Sequence, residues 1–146
     1  MPDPIADRLA IQDVMNRYAT GVDTRDLVLF EGCFAEDLVV SGFGGEPFRT
    51  RSAWMAWVRS ALERSAVTQH LIGNHVVDIA GDAASMRCDV QATHVVAADP
   101  AETMTLWASY HDRLVRDGDG WRIIDHRLEP IGSETRRSEP RVGARS

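Results

Sequence analysis

The residues able to do chemistry are few, and strand parity sorts them. A histidine on an apolar face is a candidate proton acceptor, because its ordinary ionisation range straddles neutral pH. In the stretch from Ala83, the residues Ala84, Met86, Cys88, Val90, Ala92 and His94 share one face. Ser85, Arg87, Asp89, Gln91 and Thr93 share the other, so His94 belongs to the apolar, concave side. His70 shares a face with Ile72, Asn74 and Val76, whereas His75 has the opposite parity. Without a bulge His70 and His75 cannot face one cavity, which argues against a metal site; none is expected. His111 and His126, on late strands with no evident partner, read as structural or surface residues. Asp23 precedes a second helical segment, and spacing alone favours a helix cap for it. Tyr18 continues the apolar stripe of the first helix, so packing accounts for it. Trp54 and Trp57 read as core or pocket wall, and no second acid is assigned to the concave face. Cys33 and Cys88 stand singly, far from any Cys-x-x-Cys spacing, and read as packed thiols in a reducing cytoplasm.

These side chains must be positioned by a chain of 146 residues, which suits one domain. Asp3-Pro4 opens a helix as N-cap and first-turn proline. Ile11, Val14, Met15, Tyr18 and Val22 form its apolar stripe, and Gly21 is expected to end it. Asp23 to Asp26 opens a second helix with Leu27, Phe30 and Phe34 on one face. Leu38-Val39-Val40 is a short strand, and Gly42 to Gly45 a turn. A third helix begins near Ser52 and buries Trp54, Trp57, Val58, Ala61 and Leu62. Beyond residue 66 the period becomes two, with long strands over 68–80, 83–97, 103–116 and 120–131. Gly81-Asp82 and the turn over 117–120 are hairpin signals. Helices followed by antiparallel strands indicate an α+β domain, with helices covering one face of a curved sheet. The domain is expected over 1–132, with 133–146 a mobile, arginine-bearing tail.

Composition excludes whole classes of function. All 16 basic residues are arginine, so lysine Schiff-base and P-loop lysine chemistry are ruled out. The net charge of −6 argues against nucleic acid as a partner. No apolar run reaches the ~18 residues of a membrane span, so no membrane partner is expected. The polar, acidic N-terminus has no apolar signal core.

Several segments, taken in order, resemble the SnoaL-like branch of the nuclear-transport-factor-2-like superfamily. They are 10–13, 21–26, 34–37, 68–74, 81–83 and 118–123, and the resemblance spans about residues 5 to 131. It implies a cone-shaped, antiparallel or mixed sheet wrapped by three N-terminal helices. Function does not follow from that fold, because it hosts many chemistries. The resemblance to scytalone dehydratases and hexachlorocyclohexane dehydrochlorinases pairs Asp23 with His70. His94 matches a second active-site histidine of the former. Tyr18 matches a tyrosine of bile-acid 7α-dehydratases, where the dehydrochlorinases carry a lysine. Ser109 is the nearest match to an active-site asparagine of scytalone dehydratases. The implied catalytic set is Asp23, His70, Tyr18 and His94. The implied substrate wall is Trp54, Trp57, Asn74, Met86, Val90, Trp107 and Ser109, although parity alone leaves the direction of Trp107 open. The implied activity is proton abstraction without a cofactor, as β-elimination or isomerisation of an apolar cyclic small molecule. A homodimer or homotrimer is the expected assembly. Two rival readings are a polyketide cyclase centred on Asp23 and a non-catalytic module like the β subunits of ring-hydroxylating dioxygenases.

Overall fold

The computed structural model describes residues 3–138. Three helices, α1 (Pro4–Thr24), α2 (Leu27–Glu31) and α3 (Arg51–Glu63), accompany five strands. These are β1 (Phe34–Ser41), β2 (Ser65–Ala80), β3 (Ala83–Val96), β4 (Glu102–Asp117) and β5 (Gly120–Arg137). The strand order is β1-β5-β4-β3-β2, antiparallel except for the parallel β1–β5 pair. The sheet is open, with β1 and β2 at its edges. The helices pack on its concave face, giving the α+β architecture that the sequence indicates.

Helix α1 starts where expected: the Asp3 carboxylate accepts from the N–H groups of Ile5 and Ala6, and Pro4 occupies the first turn. It does not end at Gly21. The helix runs to Thr24 and stops at Arg25, in the left-handed conformation at φ 63°. Gly21 is instead a contact point. A Cβ there would sit 2.8 Å from the backbone nitrogen of Phe30 and 2.9 Å from its Cβ. The absent side chain lets α2 fold back against α1. Asp26, not Asp23, caps α2, accepting from the N–H of Leu29 at 3.0 Å. Phe34, expected on the second helix, begins β1.

The core is formed where the two periodicities meet. Ile11, Val14, Met15 and Tyr18 of α1 face Met86, Cys88, Val90 and Ala92 of β3, all buried. Both cysteines are free and buried, as expected of packed thiols. At the narrow end Asp7 accepts from Arg116 and from the indole of Trp121, joining the first turn of α1 to the β4–β5 hairpin. Strand β5 extends to Arg137 and pairs with β4 down to Glu102, so residues 133–137 belong to the sheet and not to a tail. The rest of the expected tail, from residue 139, lies outside the described residues. No described helix is long and apolar enough to cross a membrane.

The close α1–α2 crossing makes a direct prediction. Gly21→Ala forces backbone and ring atoms of Phe30 to move, and overpacking of this kind costs ~1–3 kcal/mol. Urea unfolding should show that loss with an unchanged denaturant slope; an unaffected midpoint would contradict the crossing.

Candidate active site

The site is set by an edge strand. Outer N–H groups of β2 have no neighbouring strand to bond, and a buried amide without a partner is costly. The last turn of α1 supplies one acceptor. From Tyr18 to Asp23 the helix advances about 140° around its axis. Tyr18 therefore points into the core while Asp23 points along the sheet edge at β2. There one carboxylate oxygen of Asp23 accepts from the backbone N–H of His70 at 2.7 Å. The other oxygen lies 2.7 Å from Nδ1 of the His70 ring and accepts from the Thr68 hydroxyl at 3.0 Å. The His70 side chain is 8% exposed and that of Asp23 21%.

Arg25 completes the arrangement. Its guanidinium donates to Thr68 Oγ1 at 2.8 Å and to the carbonyls of Val22 and Ser65. One cation thus satisfies a terminal carbonyl of α1, fastens the helix to β2 and orients the hydroxyl that bonds Asp23. Burial opposes ionisation of Asp23. The hydrogen bonds from the His70 ring, the His70 N–H and Thr68 outweigh it and hold the carboxyl below 3.8.

His94 enters from β3, where it pairs across the strands with Thr68. Its ring centroid lies 5.7 Å from that of His70, edge to face, and Nδ1 is 3.2 Å from the Ser65 hydroxyl. Burial, with a smaller effect of the neighbouring His70, lowers His94 from 6.5 to about 4, so it is neutral at neutral pH. The Tyr18 ring stands 6.4 Å from His70, also edge to face. Its hydroxyl, however, is turned inward, donating to the Tyr110 hydroxyl oxygen at 3.4 Å and lying 3.2 Å from His126 Nε2. Burial first, then Tyr110, pushes the Tyr18 phenol well above 10.0.

The expected substrate wall divides between the two faces of the sheet. Met86 and Val90 are buried on the concave face. Trp54 is buried and stacks on half-buried Trp57 at 5.3 Å, against Phe43 and Phe48. Asn74, Trp107 and Ser109 lie on the convex face and do not line the interior. A bulge between Gly73 and Val76, with Asn74 at φ 54°, inverts the parity of β2. Asn74 there donates to Asp89, which also accepts from Ser109. On β4 the inward residues are Leu106, Ala108, Tyr110, Asp112 and Leu114, because these pair with the inward residues of β3; Trp107 and Ser109 alternate outward.

Five participants were not singled out by the sequence. Arg25 and Thr68 carry no pattern that separates them from other polar residues. Tyr110 and Asp112 share a face of β4 with Ala108 and Leu114, but only the pairing with β3 shows that this face is inward, and Asp112 is the concave-face acid that the sequence reading missed. His126, expected to be structural or surface, is fully buried beside Asp112.

A SnoaL-like domain model matches residues 3–127, and the chain belongs to this family, within the nuclear-transport-factor-2-like fold. An uncharacterised Mycobacterium tuberculosis protein is 30% identical over 125 residues, covering 82% of each chain. A Novosphingobium aromaticivorans structure described as a candidate aromatic ring hydroxylase is 28% identical, with a TM-score of 0.82 over 94% of this chain and 96% of that one. Two further structures share the fold. A candidate scytalone dehydratase of the same organism has a TM-score of 0.82 at 20% identity, covering 97% of this chain and 96% of that one. A hexachlorocyclohexane dehydrochlorinase has 0.84 at 16% identity, covering 96% and 95%.

The burial of His94 makes a signed prediction. Because folding holds His94 near 4 and the unfolded chain returns it to 6.5, the unfolded chain binds the proton first. Its contribution is therefore lost as pH falls from 6.5 to about 4. His94→Gln should flatten the decline of unfolding free energy across that window; an unchanged slope would place His94 in solvent.

Proposed function

We propose that this protein is a cofactor-independent lyase or isomerase in which His70 is the general base and Asp23 orients it. The observation that carries the reading is the closed Asp23–His70 contact, with both carboxylate oxygens engaged by the same histidine. An ionised Asp23 on Nδ1 fixes the tautomer that leaves Nε2 with its lone pair. Nε2 then removes a proton from a carbon next to a carbonyl or vicinal to a leaving group. A positioned base of this kind contributes about 100- to 10,000-fold. Neutral His94 is a hydrogen-bond donor beside it, suited to a developing enolate oxygen or a departing hydroxyl. Structural likeness to a dehydratase and a dehydrochlorinase supports elimination. The apolar interior favours an uncharged cyclic substrate of polyketide, steroid or terpenoid type.

A second reading rests on the likeness to the candidate ring hydroxylase: a non-catalytic partner of a redox enzyme. It would show as stable co-purification with an iron–sulfur protein. A cyclase using Asp23 alone would keep its activity without His70.

The convex face is proposed as the contact for a homodimer or homotrimer. Val67, Leu71, Val76 and Ile131 are each more than half exposed, and Leu71 and Ile131 flank a shallow groove with Trp107. Light scattering should report an assembly that Leu71→Asp dissociates; a monomeric wild type would contradict this.

The catalytic reading is tested with a panel of cyclic β-hydroxy ketones in deuterated water, following water loss and α-carbon deuteration by NMR. Wild type should turn over at least one member. His70→Ala should lose ~100-fold or more with its circular dichroism unchanged. Asp23→Asn should lose nearly as much. Full activity in His70→Ala would overturn the assignment.

A further inference from the structure

The two histidines of the site have different partners, and one side chain reaches both sets. Asp23 and Thr68 hold His70, whereas the Ser65 hydroxyl meets Nδ1 of His94 at 3.2 Å. Thr68 and Ser65 both lie near the start of β2. Arg25 bonds to each of them. Its Nη1 donates to Thr68 Oγ1 at 2.8 Å, and its Nη2 donates to the Ser65 carbonyl at 3.1 Å. Nη1 also donates to the Val22 carbonyl at 2.7 Å, which fixes the guanidinium against the end of α1.

The sheet alone secures neither partner. Strand β2 lies at the sheet edge, and its pairing with β3 shifts register between Ser65 and Val67. Ser65 therefore sits on an irregular step, and its carbonyl accepts from Arg25. Its hydroxyl is the one hydrogen-bond partner of the His94 ring among the described residues. The bond to the carbonyl thus sets where that hydroxyl stands. On the other arm the direction of the bonds follows from residue chemistry. Arginine has donors and no acceptor. Thr68 Oγ1 receives a proton from Arg25, so its own proton goes to Asp23 Oδ1 at 3.0 Å. That same oxygen of Asp23 faces Nδ1 of His70.

We propose that Arg25 is a positioning residue for both histidines. Its two terminal nitrogens hold Thr68 and Ser65, and through them Asp23–His70 and His94, at a fixed spacing. The proposal rests on the elimination reading, in which a base on β2 and a hydrogen-bond donor on β3 meet one substrate. Their ring centroids are 5.7 Å apart. A reaction that needs both groups at once loses about 100-fold when one is displaced by ~1 Å. Arg25 bonds to neither ring, so it sets the spacing and takes no part in the proton transfer. The planar fork suits this task, because its two nitrogens stand at a fixed separation.

Ring 15N–1H spectra of the full chain labelled with 15N-histidine read both arms without turnover, and His70→Gln and His94→Gln assign the two rings. Thr68→Val removes the first arm and should shift the His70 resonances more than those of His94. Ser65→Ala should do the reverse. Arg25→Met removes every donor and should shift both sets. Arg25→Lys keeps the charge but brings a single nitrogen, which can replace Nη1 or Nη2 and not both, so at least one set should still shift. Both sets unmoved in Arg25→Met would reduce Arg25 to a helix stop and overturn the proposal, and so would wild-type positions for both rings in Arg25→Lys. If the methionine variant fails to fold, the lysine variant decides. With a substrate that the wild type turns over, Arg25→Met should lower kcat ~100-fold and leave KM nearly unchanged; an unchanged kcat would also overturn the proposal. A wild type that turns over nothing removes the elimination reading, and the ring spectra still decide the role of Arg25.

Discussion

The contact on which the site depends is the carboxylate of Asp23 against the outer edge of β2. Its two oxygens receive a backbone N–H, a ring nitrogen and a hydroxyl, all from Thr68 and His70. One interaction thus satisfies an edge strand, fixes the end of α1 and sets the tautomer of a buried imidazole. Arg25 reinforces it from the left-handed residue that stops the helix. The base is held by the same bonds that hold the helix on the sheet, so structure and chemistry are not separable there. This is also why Asp26, three residues on, takes the helix-capping role and leaves Asp23 free.

The interior combines apolar walls with a few polar groups, most of them tied to a partner; Trp54 Nε1 and Asp112 Oδ2 are buried without one among the described residues. Desolvation keeps His94 neutral and the tyrosine phenols protonated, so these groups can donate hydrogen bonds but hold no charge. Two carboxyl groups face histidines, Asp23 with His70 and Asp112 with His126. Tyr18 stands between the two pairs, ring toward one and hydroxyl toward the other. In such surroundings a hydrogen bond is strong and a misplaced one is costly.

Much of this was legible in the sequence, for reasons that can be named. The alternation from Ala84 to His94 fixed the inward face of β3, because β3 is an unbulged central strand with a buried side. The order of helices before strands gave the α+β class. The pairing of Asp23 with His70 came from resemblance; spacing alone favoured a cap. What failed did so where period-two logic breaks or where long-range contacts decide. The bulge at Asn74 inverted β2, so Asn74 was expected on the wrong face, and parity left the inward side of β4 open, so Trp107 and Ser109, counted with the substrate wall, lie outward instead. Gly21 looked like a helix stop, yet it permits the approach of Phe30, a contact that no local pattern encodes. The charged residues 133–137 looked unable to fold, but backbone pairing with β4 needs no apolar side chains.

The central claim is that Asp23 holds His70 so that Nε2 presents its lone pair to a ligand inside the concave face. A crystal structure with a cyclic enol bound measures this directly. The account predicts Nδ1 still on Asp23 and Nε2 within hydrogen-bond reach of the ligand's enol group. A ligand seated instead in the groove between Leu71 and Ile131, or a His70 ring turned away from Asp23, would contradict it.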